Sequence, residues 1–151
     1  VALLVSAALW CPPVSLAQGN YLKVAPPQKL LVKRGAAAET RLAVYVQNGY
    51  HVNSNAPEED YLIPLRLQWE PGALSAADVV YPKPEMERYS FSDKPLSVFT
   101  GDFLILVRFK AGANAPVGPG TIVGRLRYQA CSDNTCYRPA TVEIRLPYEV
   151  Q

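Results

Sequence analysis

Phe103, Ile105, Val107 and Phe109 alternate with Leu104, Leu106, Arg108 and Lys110, and this period of two governs most of the chain. Leu42, Val44 and Val46 alternate with Ala43, Tyr45 and Gln47. Gly124, Leu126, Tyr128 and Ala130 share one face opposite Arg125, Arg127 and Gln129, and Val142, Ile144 and Leu146 alternate with Thr141, Glu143 and Arg145. Successive side chains of an extended strand point to opposite faces, so such stretches bury one face and wet the other. A 3.6-residue repeat is nowhere sustained. Proline supplies 14 of the 151 residues, well above the usual share of about 5%, which fits many short strands broken by turns. The expectation is an all-β fold, an antiparallel β-sandwich.

Between the clear strands the signals are shorter. Strands are expected near residues 21–24 and 30–33, and Asn48-Gly49 marks a turn before a short strand from Tyr50. Ile63, Leu65, Leu67 and Trp69 share a face with Pro64 on the other; Pro64 has no N–H, which puts that strand at an edge. Residues 73–81 read either as a short helical turn or as an irregular strand. Phe91 stands in polar company among Ser90, Ser92, Asp93 and Lys94, an exposed loop aromatic.

The size is that of one domain able to bury a core of its own. Residues 1–10 are apolar except for Ser6, and Ser15-Leu16-Ala17 follows Pro12-Pro13. Ten apolar residues are about half of a bilayer span, so residues 1–17 read as a signal peptide clipped at its front and cleaved after Ala17, with the domain at 18–151. A lipid anchor at Cys11 is disfavoured by the bulk of Trp10. No membrane span is expected in the mature chain. Cleavage leaves Cys131 and Cys136, and an even count in an exported chain favours a disulfide.

Several chemistries are disfavoured. The net charge of +2 is spread without a block of like sign, which argues against a nucleic-acid groove or a polybasic membrane patch. Two cysteines and the lone His51, far apart in sequence, offer at most three ligands, too few for a structural zinc site; no metal is expected. His51 itself reads as a strand residue on a solvated or hydrogen-bonded face. No Gly-x-Ser-x-Gly elbow is present. Gly118, Gly120 and Gly124 precede a strand, and Pro119 removes a donor N–H, so a plain turn outweighs a phosphate loop. Glu58, Glu59 and Asp60 read as a solvated loop.

Cys131 and Cys136 have four residues between them, a loop short enough for the sulfurs to meet at the end of a β-hairpin. A disulfide closing so small a loop removes unfolded-state entropy worth about 2 kcal/mol, against nearly 5 for a loop of roughly 100 residues. It is a weak staple. Flanked by Tyr128 and Tyr137, the pair suits display to a partner, yet a tight hairpin disulfide also occurs as a brace. Spacing alone leaves both readings open.

The segment Tyr128-Gln-Ala-Cys131-Ser-Asp133-Asn-Thr-Cys136-Tyr137-Arg-Pro139, with Leu146-Pro147 further on, resembles the redox signature of the N-terminal periplasmic domain of the thiol:disulfide interchange protein DsbD. Gly49-Tyr50-His51-Val52-Asn53, Leu62-Ile63-Pro64, and Phe91 with Pro95-Leu96-Ser97-Val98-Phe99 resemble other recurrent stretches of that family; the likeness spans about residues 21–149. The resemblance implies an immunoglobulin-like sandwich whose Cys131 and Cys136 cycle between dithiol and disulfide without a bound cofactor. Cys136 then forms the mixed disulfide, Cys131 resolves it, and a cap loop around Phe91 covers the sulfurs until a partner docks. Asp133 and Tyr128 are candidates for tuning the thiolate, since a carboxylate raises a thiol pKa and a hydrogen-bond donor lowers it; Tyr137 flanks the site. The implied function is that of a periplasmic oxidoreductase relaying electrons to or from thioredoxin-like proteins. A membrane electron donor is expected in trans. Where the family commonly has aromatic-Pro-Pro after the second cysteine, this chain has Tyr137-Arg138-Pro139. The rival reading is a non-catalytic binding or assembly sandwich with a structural disulfide.

Overall fold

The computed structural model describes residues 19–151. The expected leader, with Cys11, lies outside the described residues. Among those described, the chain forms twelve β-strands, numbered β1 to β12 in chain order, and no helix long and apolar enough to cross a membrane.

Two four-stranded sheets make the body of an immunoglobulin-like sandwich. One has the order β1 (Leu22–Val24), β3 (Ala37–Val46), β9 (Asp102–Ala111), β6 (Leu74–Val80). The other runs β2 (Leu30–Val32), β12 (Ala140–Val150), β10 (Gly118–Tyr128), β5 (Arg66–Trp69). All pairings in the two sheets are antiparallel except that of β2 with β12. The alternation in the sequence does what it promised: Leu42, Val44 and Val46 of β3 and Ile105, Val107 and Phe109 of β9 share one buried cluster with Ile122, Leu126, Ile144 and Leu146 of β10 and β12. Each such side chain contributes about 1.5–3 kcal/mol by leaving water.

A third, smaller sheet stands beyond the sandwich in the order β11 (Ala130–Cys131), β4 (His51–Asn53), β8 (Leu96–Phe99), β7 (Glu85–Glu87). It is assembled from extensions of the long strands. β3 passes into β4 through the Asn48-Gly49 turn, β8 into β9 through Gly101, and β10 into β11 past Gln129. Gly49 and Gly101 adopt φ of 82° and 57°, which side chains disfavour and glycine does not. A separate cluster of Leu62, Leu96 and Val98 lies here, with Tyr89 and Phe91 packed against it.

Three expectations need correction, and one open alternative is decided. The strand expected from Tyr61 begins only at Arg66, because Pro64 cannot donate to a ladder and the backbone N–H of Leu65 bonds the Ser54 carbonyl outside the sheets (3.0 Å). Residues 73–81 form the irregular strand, β6, with a register shift between Ala76 and Asp78. Gly118, Gly120 and Gly124 lie within β10, where they meet the cross-strand partners Val150, Tyr148 and Ile144 on β12. An added Cβ at Gly124 would come within 2.8 Å of the Trp69 ring across β5, so this glycine seats an aromatic instead of making a turn. Phe91 is half-buried, not an exposed loop aromatic, because its ring completes the small cluster.

Candidate functional site

Cys131 and Cys136 are bonded. The turn that brings them together is built from its own side chains: Ser132 N–H donates to the Thr135 carbonyl at 2.8 Å, and Ser132 Oγ accepts from the N–H groups of Asn134 and Thr135, both at 3.3 Å. On the other side Tyr137 N–H donates to the Ala130 carbonyl (2.9 Å). The cysteines fall between these two bonded pairs, at the kind of position where antiparallel strands approach most closely, with Cα atoms 3.9 Å apart. They are unequal in access: Cys131 is fully buried, while Cys136 is partly exposed.

A polar network braces the hairpin from behind. Gln129 Nε2 donates to the Tyr137 carbonyl (3.2 Å), and its Oε1 accepts from Asn53 Nδ2 (3.0 Å) and the Ile63 N–H (3.1 Å). The stretches around Asn53 and Ile63, ten residues apart, thus meet the distant cysteine segment at one amide. Tyr137 continues the brace as an aromatic, its ring 4.7 Å from Tyr21 and stacked, with Tyr50 at 6.0 Å.

On the opposite side of Cys131 stands His51, its directly paired neighbour in the β11–β4 ladder. Residues opposed in this way project from the same face of a sheet. The solvated or hydrogen-bonded face expected for His51 is not found: the residue is 2% exposed, and Nε2 is buried without a hydrogen-bond partner among the described residues. Its place at the junction of β4 with the cap segment removes it from water. Burial lowers its pKa from 6.5 to about 4, with the Asp133 carboxylate pulling the other way.

The segment expected to act as a cap is the eight-residue connection between β7 and β8, which pair as a hairpin. The ring that lies on His51 is Tyr89, at 3.8 Å between centroids and 16° between planes; Phe91 is parallel to both at 6.3 Å and 5.6 Å. Burial pushes the Tyr89 hydroxyl up to about 12, helped by Glu87, Asp133 and Glu85. Ser90 Oγ donates to the carbonyl of Asp133 (2.9 Å), which joins the cap to the cysteine turn. Beside this junction opens a groove of about 680 Å³ bordered by Tyr50, His51, Glu87, Tyr89, Ser90 and Asp133.

Of the residues singled out from sequence, Cys131, Cys136, Asp133 and Tyr137 belong to the hairpin itself, whereas Phe91 packs on the small cluster of Leu62, Leu96 and Val98, beyond Tyr89 from His51. Tyr128 is turned inward, 2% exposed, near the backbone of Leu22 and Tyr21, so it is committed to the core side. Burial raises its pKa, partly offset by those backbone contacts. His51, Tyr89, Ser90 and Gln129 were not recognised as site residues. His51 and Gln129 did stand inside the quoted motifs, and Tyr89 lies two positions before Phe91, the spacing of side chains on one side of an extended segment. Among the described residues no three His, Cys, Asp or Glu side chains come together as a metal ligand set.

Residues 20–147 match the family described as thiol:disulfide interchange protein DsbD, N-terminal. No curated protein sequence matches the chain. Among solved structures, the N-terminal periplasmic domain of ScsB from Proteus mirabilis is similar with a TM-score of 0.60 at 13% identity, over 88% of this chain and 49% of that one. The chain therefore spans about half the length of that relative, and at this identity the likeness is one of fold. The DsbD N-terminal domain of Neisseria meningitidis in its reduced form is 20% identical over 78% of this chain and 86% of its own, with a TM-score of 0.47.

Proposed function

The chain belongs to the family of the N-terminal domain of the thiol:disulfide interchange protein DsbD, and on that premise we propose that it is a thiol:disulfide oxidoreductase module working through Cys131 and Cys136. The observation that carries this reading is the unequal burial of a single disulfide: Cys131 is fully buried in the small sheet and Cys136 is partly exposed in the turn beside it.

Thiol–disulfide exchange needs a thiolate to reach one sulfur in line with the bond, while the other leaves. The access favours Cys136 as the sulfur attacked. The thiolate of a thioredoxin-like partner bonds to Cys136 Sγ, the Cys131–Cys136 bond breaks, and its electron pair leaves on Cys131 Sγ, which takes up a proton. The partner's second thiol then attacks its own sulfur in the mixed disulfide, releasing Cys136 as the second thiol. The module gains two electrons and two protons, and the partner is left as a disulfide. Run backwards, the same steps pass the electrons on. No bound cofactor takes part.

The cap hairpin supplies selectivity in this reading. Its Ser90 bond to the cysteine turn and the stack of Tyr89 on His51 hold it down; a docking protein displaces it, and small thiols do so rarely. Export to the periplasm, with residues 1–17 cleaved as a leader, places the module among such partners, and electrons reach it from a membrane donor in trans.

The test is to trap the mixed disulfide. Cys131→Ser leaves Cys136 to form a stable covalent adduct with a thioredoxin-like protein lacking its resolving cysteine, visible on a non-reducing gel. Cys136→Ser leaves only the buried sulfur and gives little adduct. Equal trapping by both variants, or none by either while both remain folded, contradicts the assignment.

A further inference from the structure

We infer that His51 is the polar partner of Cys131 in the dithiol form, so that this imidazole favours reduction of the site. The inference rests on the redox reading above and extends it to a residue the exchange chemistry does not itself require.

Three observations converge. His51 and Cys131 are directly opposed in the ladder, so their side chains share one face of the small sheet. Nε2 of His51 is buried and bonded to nothing among the described residues while the sulfurs are joined to each other. The ring is pinned by Tyr89 at 3.8 Å, with Phe91 beyond, so it is not free to swing out to solvent.

A buried polar atom without a partner is costly because its desolvation is not compensated, and such an atom in a folded protein calls for a reason. Reduction supplies one. In the disulfide, Cys131 Sγ is a poor acceptor and carries no proton. Once the bond opens, the same sulfur becomes either a thiol that donates to an imidazole nitrogen or a thiolate that accepts from an N–H. Both forms satisfy an imidazole that the oxidised state leaves unpaired, and neither requires the ring to be charged. A group satisfied only in the reduced state shifts the equilibrium towards that state. The neighbours that bear on this ring are Asp133 in the cysteine turn and Tyr89 in the cap, whose hydroxyl in turn feels Glu85 and Glu87 of β7, with Arg88 and Tyr50 along the same groove.

His51 is the chain's one histidine, so its ring nitrogens give a single set of NMR resonances. The experiment follows the ¹⁵N signals of the imidazole in the wild-type chain before and after reduction at neutral pH, and measures the equilibrium with a dithiol buffer for the wild type, His51→Phe and His51→Gln. The expected result is a shift of the Nε2 resonance on reduction. With His51→Phe, which keeps a ring for Tyr89 to stack on, the equilibrium moves about tenfold towards the disulfide, or roughly 30 mV for two electrons; His51→Gln, which retains a donor and an acceptor, recovers part of it. An Nε2 resonance that is the same in both redox states, or a His51→Phe equilibrium equal to that of the wild type, overturns the inference. The wild-type spectra decide even if a variant does not fold. Failure of the folded wild type to be reduced at all contradicts the redox reading itself, a distinct outcome.

Discussion

At the scale of single residues, His51 and Tyr89 are the groups whose charge the site tolerates least. Burial holds the imidazole at about 4, below its ordinary 6.5, the Asp133 carboxylate offsetting part of the effect. Between these values the unfolded chain binds a proton that the folded chain refuses, so stability rises with pH across that window. The melting temperature of the oxidised chain should fall from pH 6.5 towards pH 4, and His51→Phe should flatten that limb; an unchanged limb in the variant would show that His51 is not its source. Tyr89 acts at the other end. Its hydroxyl is pushed up to about 12 by burial, so its contribution is complete below pH 10 and is lost as pH rises through 12. Tyr89→Phe keeps the stack and should remove the alkaline loss between those values. Neither role was legible in the sequence. A lone histidine in a short strand carries no sign of what will be laid over it, because the cover comes from a hairpin some forty residues later in the chain.

At the scale of elements, long strands and short ones differ in what they reveal. β3, β9, β10 and β12 each bury one face, and their alternation announced them. β8 is buried at all four positions and β7 exposed at all three, so neither alternates and neither was foreseen. Yet these two form the hairpin that carries the proposed cap. The cap is tied to the cysteine turn through Ser90, and one hydrogen bond is worth about 1 kcal/mol net. Ser90→Ala should therefore speed reduction of the disulfide by a small dithiol roughly fivefold in stopped-flow measurements; an unaltered rate would mean that this hairpin does not gate the sulfurs. Within the sandwich, Gly124→Ala places a methyl where the Trp69 ring lies. The ring must shift from its edge contact with Phe109, 4.9 Å between centroids, and overpacking of this kind costs about 1–3 kcal/mol, measurable as a lower denaturant midpoint with an unchanged slope. The glycines of β10 were mistaken for a turn because a seat for an aromatic and a bend in the chain call for the same residue.

At the scale of the whole molecule, the buried core of the two sheets should fold without help from the disulfide. The disulfide joins residues only five apart, and closing so short a loop contributes about 2 kcal/mol. For a chain of this size that is about 4–8 °C in melting temperature, so the dithiol form should remain folded and melt only modestly lower. The family likeness was legible because the residues that meet at Gln129 lie in short motifs that survive in the sequence, while the sandwich that brings them together is written in interchangeable apolar side chains. The account as a whole turns on whether Cys131 and Cys136 are poised for exchange or serve as a brace. The reduction potential of the folded chain, measured by equilibration with a dithiol buffer of known potential, tests this most directly. The account predicts a reversible two-electron transition above about −300 mV with the fold retained in both states; a potential below that value, or reduction only on unfolding, would mark the bond as structural.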